Sequence, residues 1–246
     1  MKHEVIYSIF ATFAVLVGAA CSSSGGRAGA PVIRPDQIED FKVLYAENCA
    51  GCHGPAGKGG ATTALSDPIF LTIADDATIR RTAANGVPGT PMPAFAQSAG
   101  GMLTEKQIDS LVHGIRSWAR PDLLRDANPP PYATQAPGDP QRGAEVYATF
   151  CSACHGPNGR GGKKASSIVD WAYLSIVSDQ YIRTTVIAGL PELGAPDWRG
   201  DVPGMPMSAQ EVSDVVAWLS SQRPLFPGPP TPTRTAQKED SYGITK

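Results

Sequence analysis

The sequence is poor in the features that mark several large protein classes. Aromatic residues make up 7% of the 246 residues, and the formal net charge is −2. A charge so close to zero gives no indication of nucleic-acid binding or of a strongly charged partner. Histidines number four and cysteines five. Proline and glycine, at 23 and 26 residues, are frequent and predict long loops and linkers.

No apolar run is long enough for a membrane-spanning helix, which needs about 20 such residues. The longest candidate extends from Val5 to Ala20, follows a single lysine and contains polar residues. We therefore interpret residues 1–21 as an export signal. Its end resembles a bacterial lipoprotein signal, which implies that Cys21 is lipidated and anchors the chain to a membrane.

The lipoprotein pattern is imperfect, because Gly18 stands where that pattern usually has leucine. Two alternatives therefore stay open: ordinary cleavage after Ala20, and an uncleaved anchor. Residues 22–34 are small and polar and predict a flexible tether.

A five-residue pattern, C-x-x-C-H, occurs at residues 49–53 and again at residues 151–155, and both copies run on into a Gly-Pro-x-Gly-x-Gly-Gly loop. Two thiols at this spacing reach the two vinyl groups of one porphyrin, and the adjacent histidine reaches its iron from the same side. Disulfides or a zinc site with four thiolates are the alternatives. A histidine directly after the second cysteine of both pairs disfavours both. The pattern predicts two covalent haem c groups, held by these side chains: Cys49, Cys52 and His53 for haem 1, and Cys151, Cys154 and His155 for haem 2.

The two motifs lie 102 residues apart, from Cys49 to Cys151, which is the length of one small domain per motif. We expect an all-α chain with two tandem domains, each with about three main helices around its haem. An enclosed porphyrin supplies apolar surface that the few aromatic residues lack. The predicted segments are a first domain at 35–120, a proline-rich linker at 121–138, a second domain at 139–223 and a proline-rich disordered tail at 224–246.

Capping signals place the helices within this frame. In the first domain we predict a helix that opens at Pro35 and runs into the haem motif, one at Asp76–Asn85 that ends at Gly86, and one capped by Thr104 with Gln107. In the second domain we predict one capped by Asp139, one from Ser178 to Gly189, and one capped by Ser208 with Glu211.

The order helix, haem motif, loop, helix, methionine loop, helix resembles that of small c-type cytochromes. Residues 35–120 resemble most closely the domains of cbb3-oxidase subunits. Met92 lies between two prolines in a segment that resembles the Met-Pro-x-Phe ligand loop of these cytochromes. The resemblance implies that Met92 is the sixth ligand of haem 1. Because proline restricts both its own backbone and that of its predecessor, such a loop holds a weak thioether ligand in place.

The second domain departs from this pattern on the distal side. Aligning the ends of the two middle helices puts Ala195 opposite Met92, so a replacement ligand must come from Met205 or Met207. Met207 precedes the Ser208 cap and can pack on Val212 as a hydrophobic staple. Met205 has no such structural role. We predict Met205 as the sixth ligand of haem 2, with Met207 or an open sixth position as alternatives.

The remaining histidines are not expected to ligate iron, since His3 lies in the signal and His113 lies on a helix away from the motifs. With histidine and methionine on each iron, the resemblance implies a periplasmic, membrane-tethered carrier of single electrons in a respiratory or photosynthetic chain. Its partners would be redox proteins of that chain, and not nucleic acid. Two alternatives stay open: a haem subunit of a periplasmic oxidoreductase complex, and a peroxidase or gas-binding protein if haem 2 lacks a sixth ligand.

Overall fold

The computed structural model describes residues 33–125, 127–200, 202 and 204–224. The chain divides into two units, Met1–Gln37 and Ile38–Lys246. In the first unit only residues 33–37 are described; they include a 3-10 turn at Pro35–Gln37. The predicted signal with Cys21, the tether up to residue 32 and the tail beyond residue 224 lie outside the described residues.

The second unit is helical throughout its described part, without a β-strand. The α-helices of the first motif's half are α1 (Phe41–Asn48), α2 (Ala50–His53), α3 (Pro68–Ile73), α4 (Asp76–Asn85) and α5 (Glu105–Arg116). Those of the second half are α6 (Pro140–Phe150), α7 (Ser152–His155), α8 (Trp171–Ile176), α9 (Asp179–Ala188) and α10 (Ala209–Ser221). The two halves thus repeat the same five helices in the same order, as an all-α fold of two similar domains requires. No helix in the described part of the chain is long and apolar enough to cross a membrane.

Side-chain caps fix most helix starts where the sequence predicted them. Thr104 and Gln107 form the capping box of α5, and Ser208 and Glu211 form that of α10. Asp139 accepts hydrogen bonds from the first turn of α6. The prediction of an α-helix opening at Pro35 is wrong. That helix, α1, begins at Phe41, because Asp40 accepts the backbone N–H of Val43 at 3.0 Å and caps it there.

Two short helices, α3 and α8, were not predicted from the sequence. Each has only six residues, which is too short for an apolar period to show. An aspartate caps each of them: Asp67 before α3 and Asp170 before α8, each accepting two backbone N–H groups. An aspartate followed by proline, as at 67–68, was the available signal.

The first and last helices of each half cross at a glycine, but on opposite partners. In the first half the glycine is Gly114 of α5, where an added Cβ would lie 2.0 Å from the Phe41 ring. In the second half it is Gly143 of α6, where an added Cβ would lie 2.0 Å from the Asp214 carbonyl oxygen and 2.7 Å from the Cβ of Trp218. The glycine thus lies on the last helix in the first half and on the first helix in the second half. In both crossings it allows the two helices to pack closely.

Two apolar cores follow from these crossings. The first is built from α1, α3, α4 and α5, and the second from α6, α8, α9 and α10. The second core also takes in Ile69 of α3 and Leu124 of the linker, both less than 10% exposed. The first half thus contributes apolar side chains directly to the core of the second.

The linker lies on both cores and is not a free spacer. Leu124 packs in the second core, and Tyr132 packs against the first. The side chain of Arg183 on α9 is 1% exposed and donates to the carbonyl oxygens of Pro131 and Tyr132 at 2.9 to 3.1 Å. Proline composition predicts an extended backbone here, but it gives no sign of the buried arginine that holds it.

Candidate haem sites

Each pair of cysteines is presented at a break between two helices. Cys49 ends α1, its N–H donating to the Tyr45 carbonyl at 2.9 Å, and Cys52 lies on α2. Cys151 and Cys154 repeat the arrangement between α6 and α7. Residues three apart on a helix share one face, so the two thiols of each pair lie on the same side. All four are free thiols and not disulfides.

The first cysteine of each motif, Cys49 or Cys151, has a partly buried thiol. Burial, assisted by the neighbouring cysteine, raises the pKa of Cys49 and of Cys151 to about 11. Both of these cysteines also pack against their respective apolar cores. In the first motif the second cysteine, Cys52, is exposed, whereas in the second motif both cysteines are partly buried.

The two histidines are oriented by the same contact. The Nδ1 atom of His53 lies 2.8 Å from the Thr63 carbonyl oxygen, and that of His155 lies 2.9 Å from the Ser166 carbonyl oxygen. A carbonyl can only accept, so Nδ1 carries a proton in both rings, which leaves Nε2 as the nitrogen that can ligate a metal. Burial lowers the pKa of His53 despite this hydrogen bond. A neutral imidazole fixed in this tautomer is suited to ligate a metal through Nε2.

A buried tyrosine supports the loop behind each histidine. The Tyr45 hydroxyl donates to the Gly54 carbonyl at 2.9 Å, and the Tyr147 hydroxyl donates to the Gly156 carbonyl at 2.6 Å. Burial, followed by the influence of the Cys49 thiol, raises the pKa of Tyr45 to about 12. Each tyrosine precedes the first cysteine of its motif by four residues. The role of these hydroxyls was not predicted from the sequence, although the four-residue spacing from each motif was the available signal.

The loops themselves need glycine. A Cβ on Gly60 would lie 2.1 Å from the Cys52 carbonyl oxygen, and one on Gly162 would lie 2.7 Å from that of Cys154. Both distances are too short for any other residue. The close return of the backbone brings Thr63 and Ser166 within reach of the two imidazoles. Because these acceptors are main-chain atoms, the residue types at 63 and 166 gave no signal in the sequence.

Met92, the predicted distal ligand of haem 1, lies in a hydrogen-bonded loop after α4. The Val87 N–H donates to the Met92 carbonyl at 3.0 Å, and the Met92 N–H donates to the Thr90 hydroxyl oxygen at 3.2 Å. Thr90 itself donates twice to the Val87 carbonyl, through its backbone N–H and its hydroxyl. The Met92 side chain is partly buried. The backbone at Met92 is therefore held in position by hydrogen bonds of its own loop.

In the second half, Ala195 occupies the place of Met92. Each follows the glycine that ends its middle helix, Gly86 or Gly189, by six residues. The Leu190 N–H donates to the Ala195 carbonyl at 3.0 Å, which matches the bond from Val87 to Met92. The two loops are thus equivalent, and the second carries no sulfur at that position.

The two remaining candidate methionines differ in their surroundings. Met207 is 6% exposed, packs in the second core, and donates its N–H to the Trp198 carbonyl at 2.8 Å. Leu103 makes the same bond to Phe95, also at 2.8 Å, so Met207 has the structural place of an ordinary core residue. Met205 is 51% exposed and outside both cores. Of the two, only Met205 has a side chain without a packing role.

The residues of both halves fit a covalent haem. Each half provides two cysteines outside any disulfide, an imidazole oriented by a carbonyl at its Nδ1, and a loop in which a glycine makes the closest backbone approach. Cys49, Cys52 and His53 would hold haem 1, and Cys151, Cys154 and His155 would hold haem 2. The fourth histidine, His113, is exposed on α5, as the sequence indicated.

Two family models match the chain, one on each half. The model described as cytochrome c oxidase, cbb3-type, subunit III matches residues 36–113, and the model described as cytochrome c matches residues 140–223. Each match includes one of the two haem motifs; the first ends within α5, and the second covers all of α6 to α10.

Curated relatives are cbb3-type cytochrome c oxidase subunits. The FixP subunit of Azorhizobium caulinodans is 33% identical over 51% of this chain and 41% of its own length. The FixP subunit of Sinorhizobium medicae is 28% identical over 67% of this chain and 60% of its own length, and the CcoP subunit of an Azospirillum strain is 33% identical over 49% and 40%. The chain thus spans between about two fifths and three fifths of the length of these relatives.

Among solved structures, a chain of the Kuenenia stuttgartiensis reducing HAO-like protein complex matches with a TM-score of 0.45 and 20% identity. The match covers 78% of this chain and 100% of that one.

Proposed function

We propose that this chain, a di-haem cytochrome c with two cytochrome c domains in tandem, carries single electrons in a bacterial respiratory or photosynthetic chain. When bound, the haem irons supply the one-electron couples. The chain's residues hold the two groups, orient the histidines and limit access to the irons. The observation that carries the proposal is the bonded Met92 loop, because a ligand fixed in advance changes little when the metal gains or loses an electron.

At haem 1 the proposed ligands are His53 and Met92. The Thr63 carbonyl fixes the imidazole, and the hydrogen bonds from Val87 and to Thr90 fix the methionine loop. A histidine and a methionine together raise the potential of a haem and leave no position for oxygen or peroxide. These are properties of an electron carrier and not of an oxidase or peroxidase.

At haem 2 the proposed ligands are His155 and Met205. Met207 is unsuited because its side chain belongs to the second core. Met205 has a half-exposed side chain next to Pro206 and lies outside both apolar cores. This leaves the two irons with the same ligand types on differently built loops.

Export and lipidation at Cys21 belong to the same proposal. A lipid there would place the two domains on the periplasmic side of a bacterial membrane and confine their encounters with redox partners to its surface. Radiolabelled palmitate incorporation that Cys21→Ser abolishes would support this anchoring. Full release of the chain on cell fractionation without detergent would contradict it.

The second candidate function is a permanent haem subunit of a periplasmic oxidoreductase complex. It is favoured by the printed names of the relatives, which are oxidase subunits. Spectra of the isolated protein would be the same for both functions. Co-purification of the tagged full-length chain with a large membrane complex in mild detergent would favour the subunit, and recovery of the chain alone would favour the carrier.

The near-infrared spectrum of the oxidised holoprotein tests the ligands. A band from sulfur to iron with the intensity of two sites is expected, and Met92→Ala and Met205→Ala should each remove half of it. Met207→Leu is the matched control and should leave the band intact. Full intensity in the Met205→Ala variant would overturn the assignment at haem 2, and a failure of both haems to titrate as reversible one-electron couples would overturn the carrier function.

A further inference from the structure

The loop that presents a distal ligand is intact in both domains, but only one carries a ligand. Ala195 is bonded twice to Leu190, accepting its N–H at 3.0 Å and donating its own N–H to the Leu190 carbonyl at 3.1 Å. Within the same loop, the Leu193 N–H donates to the Leu190 carbonyl at 2.9 Å. The second loop is therefore held by hydrogen bonds as the first is. It keeps the conformation of the ligand loop although residue 195 is an alanine without a sulfur atom.

The backbone around the two loops confirms that they are equivalent. A Cβ on Gly86 would lie 2.7 Å from the Met92 carbonyl oxygen, and one on Gly189 would lie 2.8 Å from the Ala195 carbonyl oxygen. Both glycines have a positive φ, 67° and 74°. A methionine introduced at position 195 would leave the backbone in the same place relative to its helix as Met92.

Met205 is supported by far fewer contacts than Met92. Its N–H donates to the Val202 carbonyl at 3.1 Å, and Gly204 beside it has a φ of 74°. Its side chain is 51% exposed. Nothing in the described part of the chain holds its side chain in one rotamer. A methionine ordered only when it binds iron must lose side-chain entropy at that moment, which weakens the bond.

From these observations we propose that haem 2 accepts a diatomic gas at the position where Ala195 replaces methionine, whereas haem 1 does not. The proposal rests on the two covalent haems of the proposed function, but not on Met205 being a ligand. If Met205 binds the iron, a gas displaces a weakly held sulfur; if it does not, the position is open. Haem 2 would then sense or bind small ligands while haem 1 carries electrons without interference.

Carbon monoxide is the probe, added to the dithionite-reduced full-length holoprotein under argon and followed by the Soret difference spectrum. Uptake by half of the haem is expected in the wild type. Ala195→Met should abolish that uptake, because it rebuilds the loop of Met92 in the second domain. Met205→Ala should keep uptake at half.

Met92→Ala identifies the site independently of whether Ala195→Met folds. If the wild type binds carbon monoxide at haem 2, opening haem 1 raises uptake from half of the haem to all of it. If uptake stays at half in Met92→Ala, the wild-type site was haem 1 and the proposal fails. It also fails if the wild type binds no carbon monoxide, or if a fully haem-loaded Ala195→Met variant still binds at half. Each of these results leaves the reversible redox titration unaffected, so a failure here is distinct from a failure of the carrier function.

Discussion

In both halves of the molecule, a few polar side chains form hydrogen bonds with buried partners and stabilise the surrounding fold. The tyrosine hydroxyls behind the two haem motifs each donate to a buried glycine carbonyl, which otherwise accepts only a longer turn bond from the Gly57 or Gly159 N–H. In the second domain, Asp214 accepts a hydrogen bond from the backbone at the start of α6, and Arg183 donates hydrogen bonds to the carbonyls of the linker. A buried carbonyl left without a donor costs its full desolvation penalty, so these few contacts matter more than the surface ion pairs.

We expect Tyr45→Phe and Tyr147→Phe each to lower the free energy of unfolding by about 0.5–1.5 kcal/mol, because the buried glycine carbonyl loses its shorter hydrogen bond and keeps only the longer turn bond from Gly57 or Gly159. Guanidinium titration followed by far-UV circular dichroism measures this. Tyr181→Phe is the control, since its hydroxyl forms no hydrogen bond within the described residues. Equal stability of Tyr45→Phe and wild type would show that water replaces the hydroxyl.

Asp214 predicts a pH dependence of stability. Its side chain is 3% exposed and accepts from the Asp139 N–H at 2.7 Å, from Arg142 at 2.9 and 3.0 Å, and from Gln210 at 2.9 Å. Burial alone would raise the pKa of Asp214, but these donors, Arg142 foremost, outweigh it and hold the pKa below the usual value. A depressed pKa contributes stability above the unfolded-state pKa, and this contribution is lost as pH falls through the folded-state pKa.

We therefore expect Asp214→Asn to lose about 1.5–3 kcal/mol of unfolding free energy at pH 7. The deficit against wild type should shrink below about pH 4, where the wild-type carboxylate also becomes protonated. Asp122→Asn, at an exposed ion pair with Arg125, is the control and should change stability little at any pH. A deficit of the same size at pH 3 and pH 7 would contradict the electrostatic explanation.

Sequence analysis found the residues that carry their own signal and not those whose partners are main-chain atoms. Cysteine and histidine at C-x-x-C-H spacing predict the chemistry locally, and the structure brings each set together. Thr63 and Ser166 act through their carbonyls, so no residue type at those positions could reveal them. Asp214 meets Asp139 across 75 residues, a distance over which one sequence without an alignment gives no indication.

At the scale of helices, the first and last helix of each domain depend on one close approach. The crossing of α1 with α5 places Phe41 on Gly114, and the crossing of α6 with α10 places Gly143 on the backbone of Asp214. Helix ends were predictable because caps are local: Thr104, Asp139 and Ser208 all lie where their patterns indicated. The exchange of glycine between the two crossings was not, since it depends on which residues meet in space.

Gly143→Ala should be more destabilising than Gly114→Ala. Alanine improves helix propensity by about 1 kcal/mol in both cases, but its Cβ would meet a backbone oxygen at position 143 and a side-chain ring at position 114. A ring can move and a helix backbone cannot without separating α6 from α10. Thermal unfolding of both variants measures the order, and a Gly143→Ala variant at least as stable as Gly114→Ala would contradict it.

At the scale of the whole described molecule, the first cytochrome domain contributes an apolar side chain to the core of the second. Ile69 on α3 of the first domain is 5% exposed within the apolar core of the second, and α3 packs against α9. The linker is fixed by Leu124 on one side and by Arg183 on the other. Sequence repeats predicted two domains, but they could not predict that one completes the other, because Ile69 lies on the short helix whose signal was missed.

We therefore expect the two domains to unfold in a single transition, and Ile69→Ala to destabilise the second domain by about 2–5 kcal/mol. Trp118 is the tryptophan of the first domain, so in a Trp118→Phe background fluorescence reports Trp171, Trp198 and Trp218 of the second. In that background, Ile69→Ala should lower the guanidinium midpoint although the substitution lies in the other domain. Val43→Ala, at a side chain 38% exposed on α1, is the matched control and should leave the midpoint nearly unchanged. If Ile69→Ala leaves the guanidinium midpoint of the second domain unchanged, the domains are independent and the Ile69 side chain does not contribute to the stability of the second core.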